Sequence, residues 1–309
     1  MKFLKKSWWL FAVGFLLIGG ILVGIGWGLG ANGKYVRWDK DGLRVGECRE
    51  HEISEFGIEA FTKINVSTVS ARVELIPSDR YGVEAKLSEC AEEVEWSVEG
   101  GRLMVGGDSW EVLNIMNFNF SAIGGDYFVK VYYPEGVEMD EVLVSTTSGD
   151  VGVARTIVKN IDVETVSGRI GVEVLGSRKI SLESTSGSID LIGDLETVAE
   201  VRVETVSGSV VISDLGWNSL DVETVSGAVE VSGRASGQSN ISTVSGSVAL
   251  RIDGRASDFS YDIESMSGSV LVNDRGMGHS ANYESWGTPE DRRILVETVS
   301  GGIRLDFSE

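Results

Sequence analysis

The chain has 309 residues, 42% of them hydrophobic, and its 47 acidic residues outnumber 27 basic ones for a formal net charge of −20 at pH 7. Such an acidic surface repels nucleic acid and anionic lipid head groups, so we exclude a DNA- or RNA-binding function. Only two histidines, His51 and His279, are present, which leaves almost no material for catalytic triads or histidine-based metal sites.

The N-terminal segment predicts a membrane anchor. Residues 1–7 carry three lysines, and residues 8–30 contain no charged side chain. A helix of that length, at about 1.5 Å per residue, crosses a hydrocarbon core about 30 Å thick. The apolar run exceeds the core of a signal peptide, so we interpret residues 8–30 as an uncleaved transmembrane helix.

Basic residues on both flanks of this helix compete for the inside position. We place residues 1–7 in the cytoplasm and the bulk of the chain outside the cell, which makes the protein a single-pass cell-membrane protein. Gly20, Gly24 and Gly28 are spaced by four residues. This spacing could bring two helices close together in a homodimer, although glycine is common in membrane helices generally.

Residues 31–60 are polar and are interpreted as a juxtamembrane linker. Cys48 and Cys90 are the only cysteines, and outside the membrane they could form a disulfide or remain two buried thiols. Residues 61–136 predict an irregular first part of the repeat region described next. Within them, an apolar run with Trp110, Phe118 and Phe120 would cover the open end of a core or form an exposed contact patch.

Residues 137–309 are dominated by an internal repeat. The dipeptide Ser-Gly recurs with spacings of 19, 19, 21, 19, 19, 22 and 33 residues, at Ser148, Ser167, Ser186, Ser207, Ser226, Ser245, Ser267 and Ser300. Aliphatic residues alternate with polar ones before each Ser-Gly and again after it, one residue out of phase. Period-two alternation indicates β-strands with one buried face, and a fixed period near 20 residues indicates stacked units.

Ser-Gly is therefore expected to form a corner between two strands. Glycine suits a corner because it adopts φ > 0 easily and because stacked corners leave no room for a side chain. The fold prediction is an all-β, parallel β-solenoid; an antiparallel sandwich with Ser-Gly hairpins is the alternative, although favoured two-residue hairpins prefer Asn-Gly or Asp-Gly. The structural glycines are Gly149, Gly168, Gly187, Gly208, Gly227, Gly246, Gly268 and Gly301.

A column of carboxylates is expected on the outer surface. Glutamate lies three residues before Ser in four consecutive repeats, at Glu164, Glu183, Glu204 and Glu223. Parallel stacking would place these side chains about 4.8 Å apart, so that they repel one another. Solvation and neighbouring cations could relieve the repulsion, or a weakly bound Ca²⁺ could bridge adjacent carboxylates. No other cofactor is expected.

The longest interval, from Ser267 to Ser300, predicts either a degenerate extra unit or a loop projecting from one face. Loops on solenoids often carry binding functions. His279, Tyr283 and Trp286 are therefore candidate ligand contacts, and the alternative is that they pack over the end of the stack.

The repeated Thr-Val-Ser-Gly-x-Val unit, the segment Gly124-Gly-Asp-Tyr127-x-Val-x-Val131-x-x-Pro134 and the N-terminal apolar helix together resemble the putative-adhesin family of β-strand-repeat domains of unknown function. The resemblance covers roughly residues 60–309. It implies a cell-envelope protein, and it supplies no catalytic residues.

The functional hypothesis is a membrane-anchored, extracytoplasmic, non-enzymatic binding or scaffolding protein whose partner is a cell-wall polymer or an envelope protein. One alternative is a regulatory ectodomain that pairs with other membrane proteins in envelope stress. The second is a polysaccharide-active β-helix enzyme, which would need carboxylates clustered with a Lys or Arg on one sheet.

Overall fold

A computed structural model describes residues 50–88, 95–106, 126–195, 197–283 and 292–308, together with the backbone of two earlier strands, Lys34–Asp39 and Gly42–Glu47. Within these ranges, no helix is both long and apolar enough to cross a membrane. The predicted transmembrane helix at residues 8–30, with Gly20, Gly24 and Gly28, lies outside the described residues. The cysteine pair Cys48 and Cys90 lies outside them as well.

The described chain is almost entirely β-structure. Its strands up to the first regular repeat are β1 (Lys34–Asp39), β2 (Gly42–Glu47), β3 (Glu50–Phe56), β4 (Lys63–Thr68), β5 (Arg72–Ser78), β6 (Gly82–Ser88), β7 (Trp96–Glu99), β8 (Arg102–Val105), β9 (Phe128–Pro134) and β10 (Glu138–Thr146). The later strands are β11 (Val151–Thr165), β12 (Ile170–Ser184), β13 (Ile189–Ile192), β14 (Thr197–Thr205), β15 (Val210–Thr224), β16 (Val229–Thr243), β17 (Val248–Asp253), β18 (Ser260–Ser265), β19 (Val270–Val272), β20 (Arg275–Gly278), β21 (Ser280–Tyr283), β22 (Arg293–Thr298) and β23 (Ile303–Ser308). A 3-10 turn covers Ala256–Asp258.

The strands stack as a parallel β-solenoid, which confirms the predicted fold and not the sandwich. The strand segments that precede each Ser-Gly form what we call face A, and those that follow it form face B. We call one turn of the chain around both faces a rung. On face A the hydrogen-bonded order is β8, β4, β10, β11, β12, β14, β15, β16, β22, β18, all parallel. On face B it is β9, β5, β11, β12, β13, β15, β16, β17, β23, β19, also parallel.

The core lies between the two faces and is built from the aliphatic residues of the period-two pattern. Ile180, Leu182 and Ile189, for example, are fully buried, as are their equivalents on neighbouring rungs. Trp217 is the one fully buried tryptophan among the described residues, and its indole N–H donates to the buried Ser239 hydroxyl at 2.8 Å. The small Ala235 lies opposite Trp217 in the register, so the next rung makes room for the large ring.

A hydroxyl side chain two residues before the Ser lies on the inner side of each Ser-Gly corner. This side chain is buried, and at Gly149, Gly168 and Gly187 the backbone N–H donates to it at 2.8–3.1 Å. The hydroxyl thereby satisfies a backbone donor that the corner removes from the sheet ladder.

The reason for glycine at these corners is steric. The eight corner glycines are absent from the positive-φ residues, so the expectation that they adopt φ > 0 is wrong. A Cβ at Gly168 would instead overlap the carbonyl oxygen of Gly149, and one at Gly208 that of Gly187; the same clash recurs at every corner glycine along the stack. The prediction that stacked corners exclude a side chain is confirmed.

Both ends of the stack are interleaved, which the sequence order did not predict. At one end β8 and β9 form the outermost rung although β4 and β5, which precede them, lie further in. At the other end, the rung of β22 and β23 lies between the rung of β16 and β17 and that of β18 and β19. The repeat of Ser300 therefore lies inside that of Ser267.

Antiparallel strands cover both outermost rungs. At one end β7 pairs with β8, and β6 and β3 extend face B beyond β9. At the other end β20 pairs with β19 and β21 with β18. Over its described part, the interval from Ser267 to Ser300 is therefore not a projecting loop. It contains β19 of the outermost rung, the capping strands β20 and β21, and β22 of the interior rung.

Strands also occur in residues 31–60, which were expected to form a linker. β1 and β2 make a separate antiparallel hairpin, and β3 joins the main sheet through β6. β3 buries only Ile53 of its seven residues. With a single buried side chain it shows no period-two pattern, which is why its sequence resembles a linker.

The steric role of the corner glycines can be tested within one rung. Gly168→Ala should lower the free energy of unfolding by about 1–3 kcal/mol, because the added methyl group displaces the backbone of the adjacent rung. Gly171→Ala is the matched control, since a Cβ there has only ordinary contacts at 4.0 Å, and it should be neutral or slightly stabilising. Denaturant unfolding of both variants makes the comparison, and equal stabilities would contradict the corner assignment.

The position of β22 between β16 and β18 should be visible in amide hydrogen exchange. The Val296 amide in β22 lies between two parallel neighbours and should be as protected as that of Ile241 in β16. The Ala281 amide in the capping strand β21 should exchange much faster, because an outermost strand opens without disturbing the rungs inside it. If Val296 exchanges as fast as Ala281, β22 is not an interior strand.

Candidate functional site

The Ser-Gly corner carries three side-chain columns that run along the stack. The first, the Glu column, lies on face A three residues before each Ser. Strand pairing places Glu164 beside Glu183, Glu183 beside Glu204, and Glu204 beside Glu223. Ser242 follows Glu223 and interrupts the charges before Glu297 and Glu264. The strand register therefore aligns the four glutamates in a column, as predicted.

Basic side chains lie beside this column and reduce its repulsion. Arg202 forms an ion pair with Glu204 on its own strand and a second with Asp221 on the next rung at 3.6 Å. Partial burial raises the pKa of Glu183, and the Glu204 and Glu164 carboxylates raise it further. Arg202 acts in the opposite direction on the Glu183 pKa. The column is thus a partly compensated row of like charges.

The described residues contain no group of three or more His, Cys, Asp or Glu side chains arranged to hold a metal ion. A weakly bound Ca²⁺ between two adjacent glutamates stays a prediction. The relief of repulsion that the structure does show comes from Arg202.

The second column consists of the residue directly before each Ser, and we call its apolar members the apolar ridge. Its members are Val166, Val206, Val225, Val244, Val299 and Met266. They are exposed, from 45% at Val299 to 71% at Met266. Backbone bonds of 2.9–3.0 Å run from a corner Ser N–H to the ridge carbonyl of the neighbouring rung and fix the spacing, for example from Ser226 to Val206, from Ser245 to Val225 and from Ser300 to Val244.

The third column, the Ser ladder, consists of the corner serines themselves. Their hydroxyls lie on the surface next to the ridge. Ser167 Oγ donates to Thr147 O at 3.3 Å, and Ser267 Oγ donates to Val299 O at 3.0 Å. The ladder is uncharged, so the ridge has a row of hydroxyls on one side and a row of carboxylates on the other.

Face A beyond the Glu column presents a further polar column, five residues before Ser in five consecutive repeats; Leu143 and Leu295 occupy this position on the adjoining rungs. Strand register aligns Asp162, Ser181, Arg202, Asp221 and Asn240 on successive rungs. These side chains offer hydrogen-bond donors and acceptors in a straight row at the strand spacing of about 4.8 Å. A flat, regularly spaced polar row is suited to a long partner with a repeating structure.

Two of the aromatic-rich binding candidates lie in the end cap. His279 Nδ1 is 2.6 Å from the carbonyl oxygen of Gly268, the last in the column of corner glycines. Tyr283 stacks on Tyr261 with ring centroids 5.4 Å apart. These contacts give both residues a packing role at the end of the stack. Trp110, Phe118, Phe120 and Trp286 lie outside the described residues.

The apolar ridge was missed by the sequence argument. Its residues belong to the repeated Thr-Val-Ser-Gly motif, but period-two alternation marks only the buried positions. The ridge could have been predicted from its place in the alternating pattern, because the residue between a buried Thr and the corner Ser must point outward.

The raised pKa of Glu183 predicts a pH-dependent contribution to stability. A carboxyl whose folded-state pKa exceeds its unfolded value stabilises fully below the unfolded pKa, and this contribution is lost as pH rises through the folded pKa. Glu183→Gln should therefore raise the melting temperature at pH 7 and have little effect near pH 4. Glu230→Gln, an exposed glutamate on face B, is the control. Thermal melts that show no gain at pH 7 would contradict repulsion within the column.

Comparisons with known proteins give a family and a set of similar structures. No protein in the curated set matches the chain. A crystallised putative adhesin from Bacteroides fragilis NCTC 9343 is 12% identical, with 85% of this chain and 97% of that chain covered and a TM-score of 0.45. A putative lipid binding protein from Parabacteroides distasonis ATCC 8503 is 16% identical, with coverages of 85% and 98% and a TM-score of 0.37. At these TM-scores the structures carry no argument about function.

The family model called Toastrack DUF4097 matches residues 61–306. In chain order this range begins just before β4 and ends within β23. The match spans most of the sequence and includes the Ser-Gly corners on which the fold is built. The chain belongs to the Toastrack DUF4097 family.

Proposed function

We propose that the protein is a non-enzymatic binding and scaffolding module of the cell envelope. Residues 8–30 anchor it in the cell membrane, and the solenoid lies outside and contacts a long cell-wall polymer. The observation that carries the proposal is the polar column of face A, in which Asp162, Ser181 and Arg202 are followed in register by Asp221 and Asn240.

The repeated rungs of face A suit a polymer that also has a repeating structure. A polymer that repeats along its length can meet a polar side chain on each of these rungs, so that many weak hydrogen bonds act together. The overall charge of −20 opposes a strongly anionic polymer at low ionic strength. The proposal therefore favours a neutral or weakly charged polymer with many hydroxyl groups.

The test is binding of the purified full-length chain to isolated cell-wall polymer that has been fractionated by length. We expect saturable binding whose affinity rises with polymer length, without release of shortened products. Release of products would favour the polysaccharide-active enzyme instead. Absence of binding at every length would contradict the proposal and favour a regulatory ectodomain.

A matched pair of variants localises the contact. Asn240→Trp places a large ring in the polar column of face A and should weaken polymer binding severalfold. Val211→Trp makes the same change at an outward position of face B and should leave binding unchanged. Equal effects of the two variants would exclude face A as the contact surface.

A further inference from the structure

The apolar ridge is an exposed hydrophobic line that nothing in the described chain covers. Along the stack, Val206, Val225, Val244, Val299 and Met266 follow one another without interruption. The four valines are 45–49% exposed. Single exposed valines are unremarkable, but a continuous row at the strand spacing forms one surface.

The corner itself does not require an apolar residue at this position. Thr147 and Thr185 occupy the same place on two other rungs, and both are exposed. Thr and Val share a branched shape and differ in the hydroxyl group. Met266 shows that the position accepts an unbranched side chain as well. The backbone geometry therefore leaves the apolar character of five successive rungs unexplained.

The flanks of the ridge indicate its occupant. On one side lies the Glu column, with carboxylates that accept hydrogen bonds. On the other lies the Ser ladder, an uncharged row of hydroxyls, followed on face B by the small residues Ser209, Ala228 and Ser247. A surface with a carboxylate row, an apolar line and an uncharged polar row is complementary to a copy of itself when each carboxylate row faces the other copy's uncharged row.

We infer that the apolar ridge is the contact surface for a second copy of this chain, in a parallel, side-by-side dimer. A two-fold axis along the stack brings each ridge residue against the same residue of the other copy. It also places the Glu column of each copy opposite the Ser ladder of the other. Carboxylates of one copy then face uncharged hydroxyls of the other, so the two Glu columns do not repel each other across the contact.

An antiparallel arrangement lacks this complementarity. A two-fold axis across the ridge places Glu column against Glu column and Ser ladder against Ser ladder. Rows of like charge would then repel along their whole length, beyond the repulsion within each column. The parallel dimer is also the one that two chains anchored on the same side of a membrane can form.

The ridge is one side chain wide, so the dimer is weak between free copies. Its area lies below the roughly 1,200–2,000 Å² of a standard stable interface, and two chains of net charge −20 repel at long range. Confinement in a membrane raises the effective concentration of the partner and favours the pair. Salt should favour it as well, because screening weakens the long-range repulsion.

Cysteine cross-linking of the full-length chain in phosphatidylcholine vesicles tests the arrangement. In the parallel dimer Val206→Cys and Val244→Cys should each cross-link to themselves, since a disulfide requires Cα atoms within about 7 Å. Ser219→Cys, exposed on face A away from the corner, is the control, and the parent chain measures the background from Cys48 and Cys90. Both ridge variants should exceed the control severalfold.

Other outcomes would overturn the inference. Cross-linking at Val244 without Val206 would indicate an antiparallel pair centred on Val244, and no excess over the control would show that the ridge does not meet a second copy. Adding Val225→Thr and Val244→Thr to Val206→Cys keeps the branched shape and should reduce its cross-linking severalfold. Polymer binding is measured on the same preparations, so the dimer can fail while the proposed function holds.

Discussion

The fold depends on the contact between stacked corner backbones. At each corner glycine, the carbonyl oxygen of the corner residue on a neighbouring rung lies where a Cβ would be. At Gly149, Gly168 and Gly187 the buried hydroxyl two residues before the Ser accepts from the glycine N–H, so these corners turn without an unpaired backbone donor. Because this geometry is the same on successive rungs, it fixes the register of the strands on both sides, and with it the position of the outward side chains.

A solenoid built this way has a difficulty at its ends, where an outermost strand offers unpaired backbone groups to other chains. Both ends of the stack meet this difficulty in a similar way. Antiparallel strands cover the outermost rung, and the rung directly inside it is out of sequence order. At the second end His279 adds a contact to the carbonyl of Gly268. The cap and the interior rung are continuous in sequence, so a capping strand that opens locally stays tethered to a strand inside the stack.

The sequence predicted the parts of the structure that depend on local repetition. Strand phases, corner glycines and the alignment of Glu164 with Glu183 follow from period-two alternation and a fixed repeat length. The order of the rungs does not, because the repeat of Ser300 has the same local pattern as that of Ser267, and only long-range pairing decides which lies further in. β3 was missed because it buries one residue. The ridge was missed because exposure at a corner depends on how the chain turns, which alternation along a strand does not encode.

Perfect repetition also repeats every like charge, and the surface shows how the chain limits this cost. Ion pairs cross between rungs from Lys159 to Asp140 at 2.6 Å and from Lys179 to Glu200 at 3.0 Å, while Ser242 interrupts the Glu column. Exposed pairs of this kind contribute little to stability individually. Their effect is to prevent repulsion from accumulating along a column whose spacing the corners do not allow to change. The ridge and the Ser ladder beside it carry uncharged side chains over five successive rungs, so repetition there builds a continuous surface without electrostatic cost.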